Sequence, residues 1–107
     1  MLGRLLASIA GDPLDRAARR YARDLPRQLV RDYGAAARYS PDQIRLSVGR
    51  AKLPPEHLAI GYAAYLDHAA FTAVLPGRAD EYEALRGLFV KHEDVGLQSE
   101  KSGAHDE

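Results

Sequence analysis

Proline is the feature that most limits how this chain can fold, because six prolines divide its 107 residues into short segments. Two of them, Pro13 and Pro41, directly follow Asp12 and Ser40, residue types that favour the N-cap of a helix. Proline suits the first helical position, since the N–H that it lacks would have no partner there. Pro26, in contrast, is predicted to end or kink the helix that begins at Asp12. The prolines therefore predict a succession of helices.

The segments between the prolines have helical periodicity and no convincing strand. We predict an all-α fold, an irregular bundle of about five helices. Their predicted ranges are 12–26, 29–34, 41–52, 55–75 and 79–92. The segment 55–75 is the longest and most apolar, which predicts a central long helix.

The clearest local signal is the stretch from Tyr39 to Ile44. The Ser40 side chain can accept a hydrogen bond from the Gln43 N–H while the Gln43 side chain reaches back to the Ser40 N–H, which is a capping box. Tyr39 and Ile44 flank this cap at the positions of a hydrophobic staple. A helix is therefore predicted to begin at Pro41.

A single helical domain is expected over residues 1–93, followed by a disordered tail over 94–107, which is polar and carries glycines. Met1–Ala10 has its leucines and isoleucine on one helical stripe, which we expect to pack on the domain. The alternative is a docking helix over residues 1–11 for a partner or a membrane surface.

The chain is expected to be cytoplasmic. No stretch approaches the roughly 20 apolar residues that span a bilayer, and the apolar run at the N terminus is too short for a signal peptide. The sequence contains no cysteine, which excludes disulfides, thiolate metal ligands and a cysteine nucleophile.

Charge is sorted along the chain, although the formal net charge is zero. Residues 1–53 carry eleven Lys or Arg against five Asp or Glu, a net +6, and residues 54–107 carry four against ten, a net −6. Part of the positive excess forms a candidate partner-binding stripe, which Arg31 extends. Its members are Arg16, Arg19, Arg20, Arg23 and Arg27.

An arginine stripe suits phosphate groups or a carboxylate-rich partner. The alternative is a solvated or internally paired face, partly neutralised by Asp15 and Asp24. The composition favours this alternative, because twelve arginines and eighteen alanines are typical of GC-rich coding.

The helices predicted at 41–52 and 55–75 follow the order of a helix-turn-helix. The second one, however, starts with two prolines and is mostly apolar, whereas a recognition helix presents Arg, Lys, Asn or Gln to base edges. Nucleic acid is therefore not the expected partner, and binding through the arginine stripe is kept as an alternative.

A small metal site is the other alternative, with Asp67, His68 and His92 as its ligands from two helices. His57 and His68 are eleven residues apart, roughly 16 Å along a helix, which is too far to share a metal ion. The sequence contains no nucleophile elbow, phosphate loop or paired-carboxylate motif. We expect no catalytic residue, no cofactor and no metal.

Four tyrosines, Tyr33, Tyr39, Tyr62 and Tyr65, belong to segments that we expect to lie near one another. They are expected to seal the rim of the core, with their hydroxyls at water or backbone groups. The alternative is an aromatic pocket for a peptide or a small ligand.

Three stretches resemble a family of small bacterial proteins of unknown function, which share a Tyr-Gly, a Tyr-Thr/Ser-x-x-Gln and a Tyr-Ala-x-Ala pattern. The stretches are Leu29–Gly34, Tyr39–Ile44 and Tyr62–Tyr65. The resemblance covers about Tyr21 to Phe71 and implies a bacterial, cytoplasmic, all-helical domain without an assigned activity. The function is left unknown, and the leading interpretation is a non-enzymatic helical domain for protein–protein interaction or self-association.

Overall fold

The computed structural model describes residues 12–105, with side chains described for 12–93. Within 12–105 the chain forms five α-helices and no strand, which confirms the all-α prediction. The α-helices are α1 (Pro13–Tyr33), α2 (Pro41–Arg50), α3 (Leu58–Tyr65), α4 (His68–Val74) and α5 (Tyr82–His105). The 3-10 helices Pro55–His57 and Pro76–Glu81 precede α3 and α5.

α1 is one helix where two were predicted. It is capped by Asp12, whose carboxylate accepts a 3.0 Å hydrogen bond from the N–H two residues on, and it ends at Gly34, which has a φ of 82°. Pro26 lies inside the helix. Leu25 and Leu29, on either side of it, are fully buried, so the core holds the turns before and after the proline. The predicted end at Pro26 is wrong, because core packing outweighs the loss of one helical hydrogen bond.

α2 begins as predicted with a complete capping box. The Gln43 N–H donates to Ser40 Oγ at 3.1 Å, and the Ser40 N–H donates to Gln43 Oε1 at 2.9 Å. Tyr39 and Ile44, which flank the cap, are both buried in the core. The helix ends at Arg50, two residues before its predicted end.

The predicted central helix over 55–75 is wrong, because the chain breaks between α3 and α4. Leu66 has extended dihedrals (φ −105°, ψ 152°), and Asp67 Oδ1 accepts a 2.8 Å hydrogen bond from the Ala70 N–H. Asp67 thus starts a new helix as its N-cap. The central position belongs to the short α3, whose residues Ala59–Ala63 are all buried, as in a helix covered on every side.

α3 lies close to α1 and α2 at Gly61. A Cβ at this position would lie 3.2 Å from Leu25 Cδ2 and from Ile44 Cγ2, and 3.3 Å from Tyr21 Cε2. All three neighbours are fully buried. Glycine therefore permits a helix approach that a larger residue would resist.

α5 supplies hydrogen-bond donors for the C-terminal end of α3. The Tyr82 hydroxyl donates to Leu66 O at 2.8 Å, and Arg86 Nη1 donates to Ala63 O and Ala64 O, both at 3.2 Å. The last carbonyls of an α-helix have no partner within the helix. Tyr82 and Arg86 satisfy them here and so stabilise the break between α3 and α4.

Some predictions for the two ends of the chain remain untested. The stripe predicted over Met1–Ala10 lies outside the described residues. α5 continues to His105, so it ends later than the predicted position at His92. Disorder of residues 94–107 and the single domain over 1–93 stay predictions.

Candidate functional site

The solvent-facing side of α1 carries the predicted arginine stripe. We call it the arginine face and define it by the exposed side chains Arg16, Arg19, Arg20, Arg23, Arg27, Val30 and Arg31. From Arg16 to Arg31 it extends about 22 Å along the helix axis. Because Pro26 does not interrupt α1, Arg27 and Arg31 continue this face instead of lying on a separate helix.

Two of the three aspartates of α1 make their closest contacts with other helices. Asp15 Oδ1 lies 2.9 Å from His92 Nε2 and 3.7 Å from Lys91 Nζ, both on α5. Asp32 Oδ2 accepts a 2.7 Å hydrogen bond from Ser47 Oγ on α2. These two carboxylates therefore join α1 to other helices.

These contacts also keep the two carboxylates ionised. The hydrogen bond with His92 holds the pKa of Asp15 below its ordinary value, and Lys91 contributes to the same shift. The Ser47 hydroxyl lowers the pKa of Asp32 in the same way, because it donates a hydrogen bond to the charged form.

The third aspartate, Asp24, pairs with the arginine face itself. Arg23 Nε donates to Asp24 Oδ1 at 2.9 Å. Arg20 Nη2 donates to the carbonyl oxygen of Lys52 at 3.1 Å, a contact that leaves its charge unneutralised. The arginine face therefore keeps an excess of positive charge, and its planar guanidinium groups can bind carboxylate or phosphate oxygens through paired hydrogen bonds.

The helix order considered for DNA binding does not produce a recognition helix. α3, which follows α2, is buried along Ala59–Ala63 and is preceded by the 3-10 helix Pro55–His57. A helix that reads base edges must enter a groove with its side chains exposed. α3 is therefore a core helix and not a recognition helix.

The structure does not bring Asp67, His68 and His92 together. His68 stacks on Tyr82 at 4.9 Å between ring centroids, and its Nε2 lies 3.1 Å from Ala79 O. His92 contacts Asp15, and Asp67 caps α4. The side chains of residues 12–93 include no group of three His, Asp or Glu that could hold a metal ion.

The four tyrosines lie in different surroundings. Tyr62 is buried in the core, and the Tyr33 hydroxyl accepts a 3.2 Å hydrogen bond from Arg50 Nη1. Tyr39 and Tyr65 meet edge to face, with 5.6 Å between ring centroids. These two rings line an open cleft of about 420 Å³ beside the break between α3 and α4.

Two charged residues of this cleft, Arg38 and Arg86, were not among the residues predicted from the sequence. Asp67 was considered only as a metal ligand, although aspartate before three helix-forming residues also indicates an N-cap. That signal would have predicted the break after Leu66. No sequence signal, however, connects Arg86 on α5 with the carbonyl groups at the end of α3.

The fold and these surfaces define a small all-α bundle with a basic helix face and an open cleft. The chain belongs to DUF6559, a family of unknown function, whose profile matches residues 14–94. This region contains all of α2 to α4 and most of α1, and it agrees with the resemblance to a family without assigned function. No curated protein and no solved structure matches the chain. Between residues 12 and 105, no helix has the length and apolar character that crossing a membrane requires.

Proposed function

We propose that this protein is a non-enzymatic, bacterial, cytoplasmic helical domain that binds an acidic segment of a protein partner through the arginine face. One observation carries the proposal: α1 continues through Pro26 and aligns six arginines on one exposed side. A partner with carboxylates at helical or extended spacing can contact several of these side chains at once.

The charge of the arginine face supports this proposal. Arg23 is paired with Asp24, and the other two aspartates of α1 contact α2 and α5. In the described part of the chain, Arg16, Arg19 and Arg31 make no ion pair. Exposed guanidinium groups without a carboxylate partner attract acidic ligands and raise their association rate.

A protein partner fits the arginine face better than a nucleic acid does. Val30 lies between Arg27 and Arg31 with 51% of its surface exposed, and an apolar side chain adds to contact with a peptide more than to contact with phosphates. The net charge of −6 over residues 54–107 repels a long polyanion, whereas a short acidic segment can contact α1 alone.

A second copy of the chain is the other protein partner that the charge pattern favours. Residues 1–53 carry +6 and residues 54–107 carry −6, so two copies can pair opposite charges. Such a dimer would dissociate as the salt concentration rises, because salt screens exposed charges. Sedimentation velocity at low and high salt measures this directly, and a monomer at low salt and high concentration contradicts self-association.

The binding proposal is tested by fluorescence anisotropy with three labelled probes at about 50 mM salt, where nucleic-acid contacts are also strong. The probes are a glutamate-rich peptide, a glutamine-rich peptide of equal length and mixed-sequence single-stranded nucleic acid. The double variant R16Q/R19Q removes two charges from the arginine face. Its matched control, R45Q/R78Q, removes two charges from positions outside the arginine face.

We expect the acidic peptide to bind and the R16Q/R19Q variant to weaken its binding by roughly 5- to 30-fold, since each exposed charge contributes about 0.5–1 kcal/mol. R45Q/R78Q should bind nearly as well as the unmodified protein. Equal weakening by both double variants would show that net charge, not the arginine face, determines binding. Tighter binding of the nucleic acid than of the peptide would indicate that the partner is a nucleic acid and not a protein.

A further inference from the structure

The cleft beside the break between α3 and α4 combines basic and aromatic groups from four parts of the chain. Arg38 and Tyr39 come from the loop before α2, and Tyr65 comes from the end of α3. Asp67 precedes α4, and Arg86 comes from α5. None of the residues that line the cleft belongs to α1, so the cleft shares no residue with the arginine face.

We propose that this cleft binds a small organic carboxylate with a planar, apolar body. The two guanidinium groups would contact the carboxylate, and the rings of Tyr39 and Tyr65 would contact the planar body. Ligand binding in this cleft does not depend on protein binding by the arginine face.

Arg86 provides a positioned charge at the cleft. Its Nη1 donates to Ala63 O and Ala64 O, both at 3.2 Å, which fixes the guanidinium against the end of α3. A guanidinium has five N–H donors, and these contacts use only those of Nη1. The donors of Nε and Nη2 are therefore outside these bonds, and a carboxylate prefers this kind of paired donor edge.

Arg38 provides a second positive charge, and its side chain can turn toward a ligand at little cost in stability. Its side chain is 85% exposed, and its closest carboxylate contact is to Asp67 Oδ2 at 3.9 Å. Exposed pairs at such distances contribute little to stability. The cleft holds two arginines against one aspartate, so a monoanion balances its charge.

The aromatic side of the cleft is held in place by other contacts. Tyr65 packs edge to face against Tyr39 at 5.6 Å and against Phe89 at 5.8 Å. The Tyr39 hydroxyl donates to Gly34 O at 2.7 Å, which fixes the position of its ring. Burial raises the pKa of Tyr65, so its hydroxyl stays neutral at physiological pH. Rings that are already ordered bind a planar ligand with little loss of conformational entropy.

The size of the cleft limits the ligand. Its volume of about 420 Å³ is at the lower end of the range of about 300–1,000 Å³ for small-molecule sites. The remaining walls include the small apolar residues Ala37, Ala64 and Ala70. A molecule with one ring and one carboxylate fits this space.

The test is an NMR titration of the ¹⁵N-labelled full chain with phenylacetate. Acetate, which has the charge without the ring, and 2-phenylethanol, which has the ring without the charge, are the comparison ligands. We expect a dissociation constant on the order of 1 mM for phenylacetate, with the largest shifts at the amides of Ala64, Leu66, Asp67 and Ala70. Both comparison ligands should bind at least about tenfold more weakly.

Variants distinguish the cleft from general attraction of anions. R86Q should abolish binding, and R38Q, which removes only an exposed side chain, should weaken it by roughly 3- to 10-fold. R45Q is the matched control on α2 and should leave the affinity unchanged. If R86Q fails to fold, R38Q decides the outcome. Equal binding of phenylacetate to R38Q and to the unmodified protein, or equal binding of 2-phenylethanol, would overturn the proposal.

Discussion

Ser47 Oγ donates a 2.7 Å hydrogen bond to Asp32 Oδ2 and thereby joins α2 to the last turn of α1. Ser47 is fully buried, whereas Arg50 Nη1 reaches the same oxygen at 3.0 Å from the solvent side. Gln28 Nε2 donates to Asp32 Oδ1 at 2.9 Å. The carboxylate thus has donors on both oxygens, and it fixes the end of α1 that carries Arg31 relative to α2.

Ser47 and Arg50, which both donate to Asp32 Oδ2, should differ in their contribution to stability. We expect S47A to lower the free energy of unfolding by about 1–2 kcal/mol, because a hydrogen bond at a fully buried side chain is lost. R50Q should lower it less, although it removes a charge, since water can replace an exposed donor. Urea denaturation of both variants measures the difference. A larger loss for R50Q would contradict this ranking.

The contact between Asp15 and His92 predicts how stability depends on pH. The pKa of Asp15 is lower in the folded protein than its usual value of about 3.9, mainly because of the hydrogen bond with His92. The contribution of the ionised Asp15 to the free energy of unfolding is therefore complete above about pH 4. It is lost as the pH falls through the lowered pKa of Asp15 in the folded protein.

D15N should reduce the melting temperature at pH 7 and flatten its decrease below about pH 4, since the variant has no carboxylate to protonate. D80N, at an exposed position near the start of α5, is the control. Melting temperatures followed by circular dichroism from pH 7 to pH 2 give both curves. If D15N and the unmodified protein have parallel curves over this range, Asp15 does not contribute as described.

Gly61 and Gly87 should respond in opposite directions to the same substitution. A Cβ at Gly61 would meet three buried side chains at 3.2–3.3 Å, so we expect G61A to lower the free energy of unfolding by about 1–2 kcal/mol. Gly87 lies in α5 with nothing within 4 Å of an added Cβ, so G87A should raise it by about 0.5–1 kcal/mol. Chemical denaturation measures both changes in the free energy of unfolding. Stabilisation by G61A would show that the three neighbouring side chains can move aside.

The local signals of the sequence predicted the fold class and the helix starts at Asp12 and Ser40, because capping depends on neighbouring residues alone. The break at Leu66 was missed although Asp67 carries its own capping signal, since the apolar pattern of 55–75 continues across it. The Leu66 carbonyl, which that break leaves without a helical partner, accepts a hydrogen bond from Tyr82, sixteen residues away on α5. A contact of this length has no signature in the local sequence.

The candidate surfaces were predictable to different degrees. The arginine stripe followed from helical spacing, but its full length did not, because it depends on α1 continuing through Pro26. The cleft depends on four separate parts of the chain that meet at the end of α3, so the local sequence did not place its residues together. Periodicity describes one helix, whereas a cleft requires the packing of several.

Pro26 is the residue at which core packing overrides local preference, which gives a direct prediction. P26A restores an N–H that can donate to the carbonyl of Ala22, and it removes the clash of the ring with that turn. The more flexible unfolded chain offsets part of this gain. We therefore expect P26A to raise the free energy of unfolding by about 1–2 kcal/mol, measured by urea denaturation.

The control for this variant is P41A, at the first position of α2, where proline already fits the helix. P41A should leave stability unchanged or lower it slightly, because only the unfolded chain becomes more flexible. Since α1 stays continuous in P26A, its affinity for the acidic peptide should equal that of the unmodified protein. A loss of stability in P26A would instead show that the ring of Pro26, which is partly buried, contributes packing that outweighs the missing hydrogen bond.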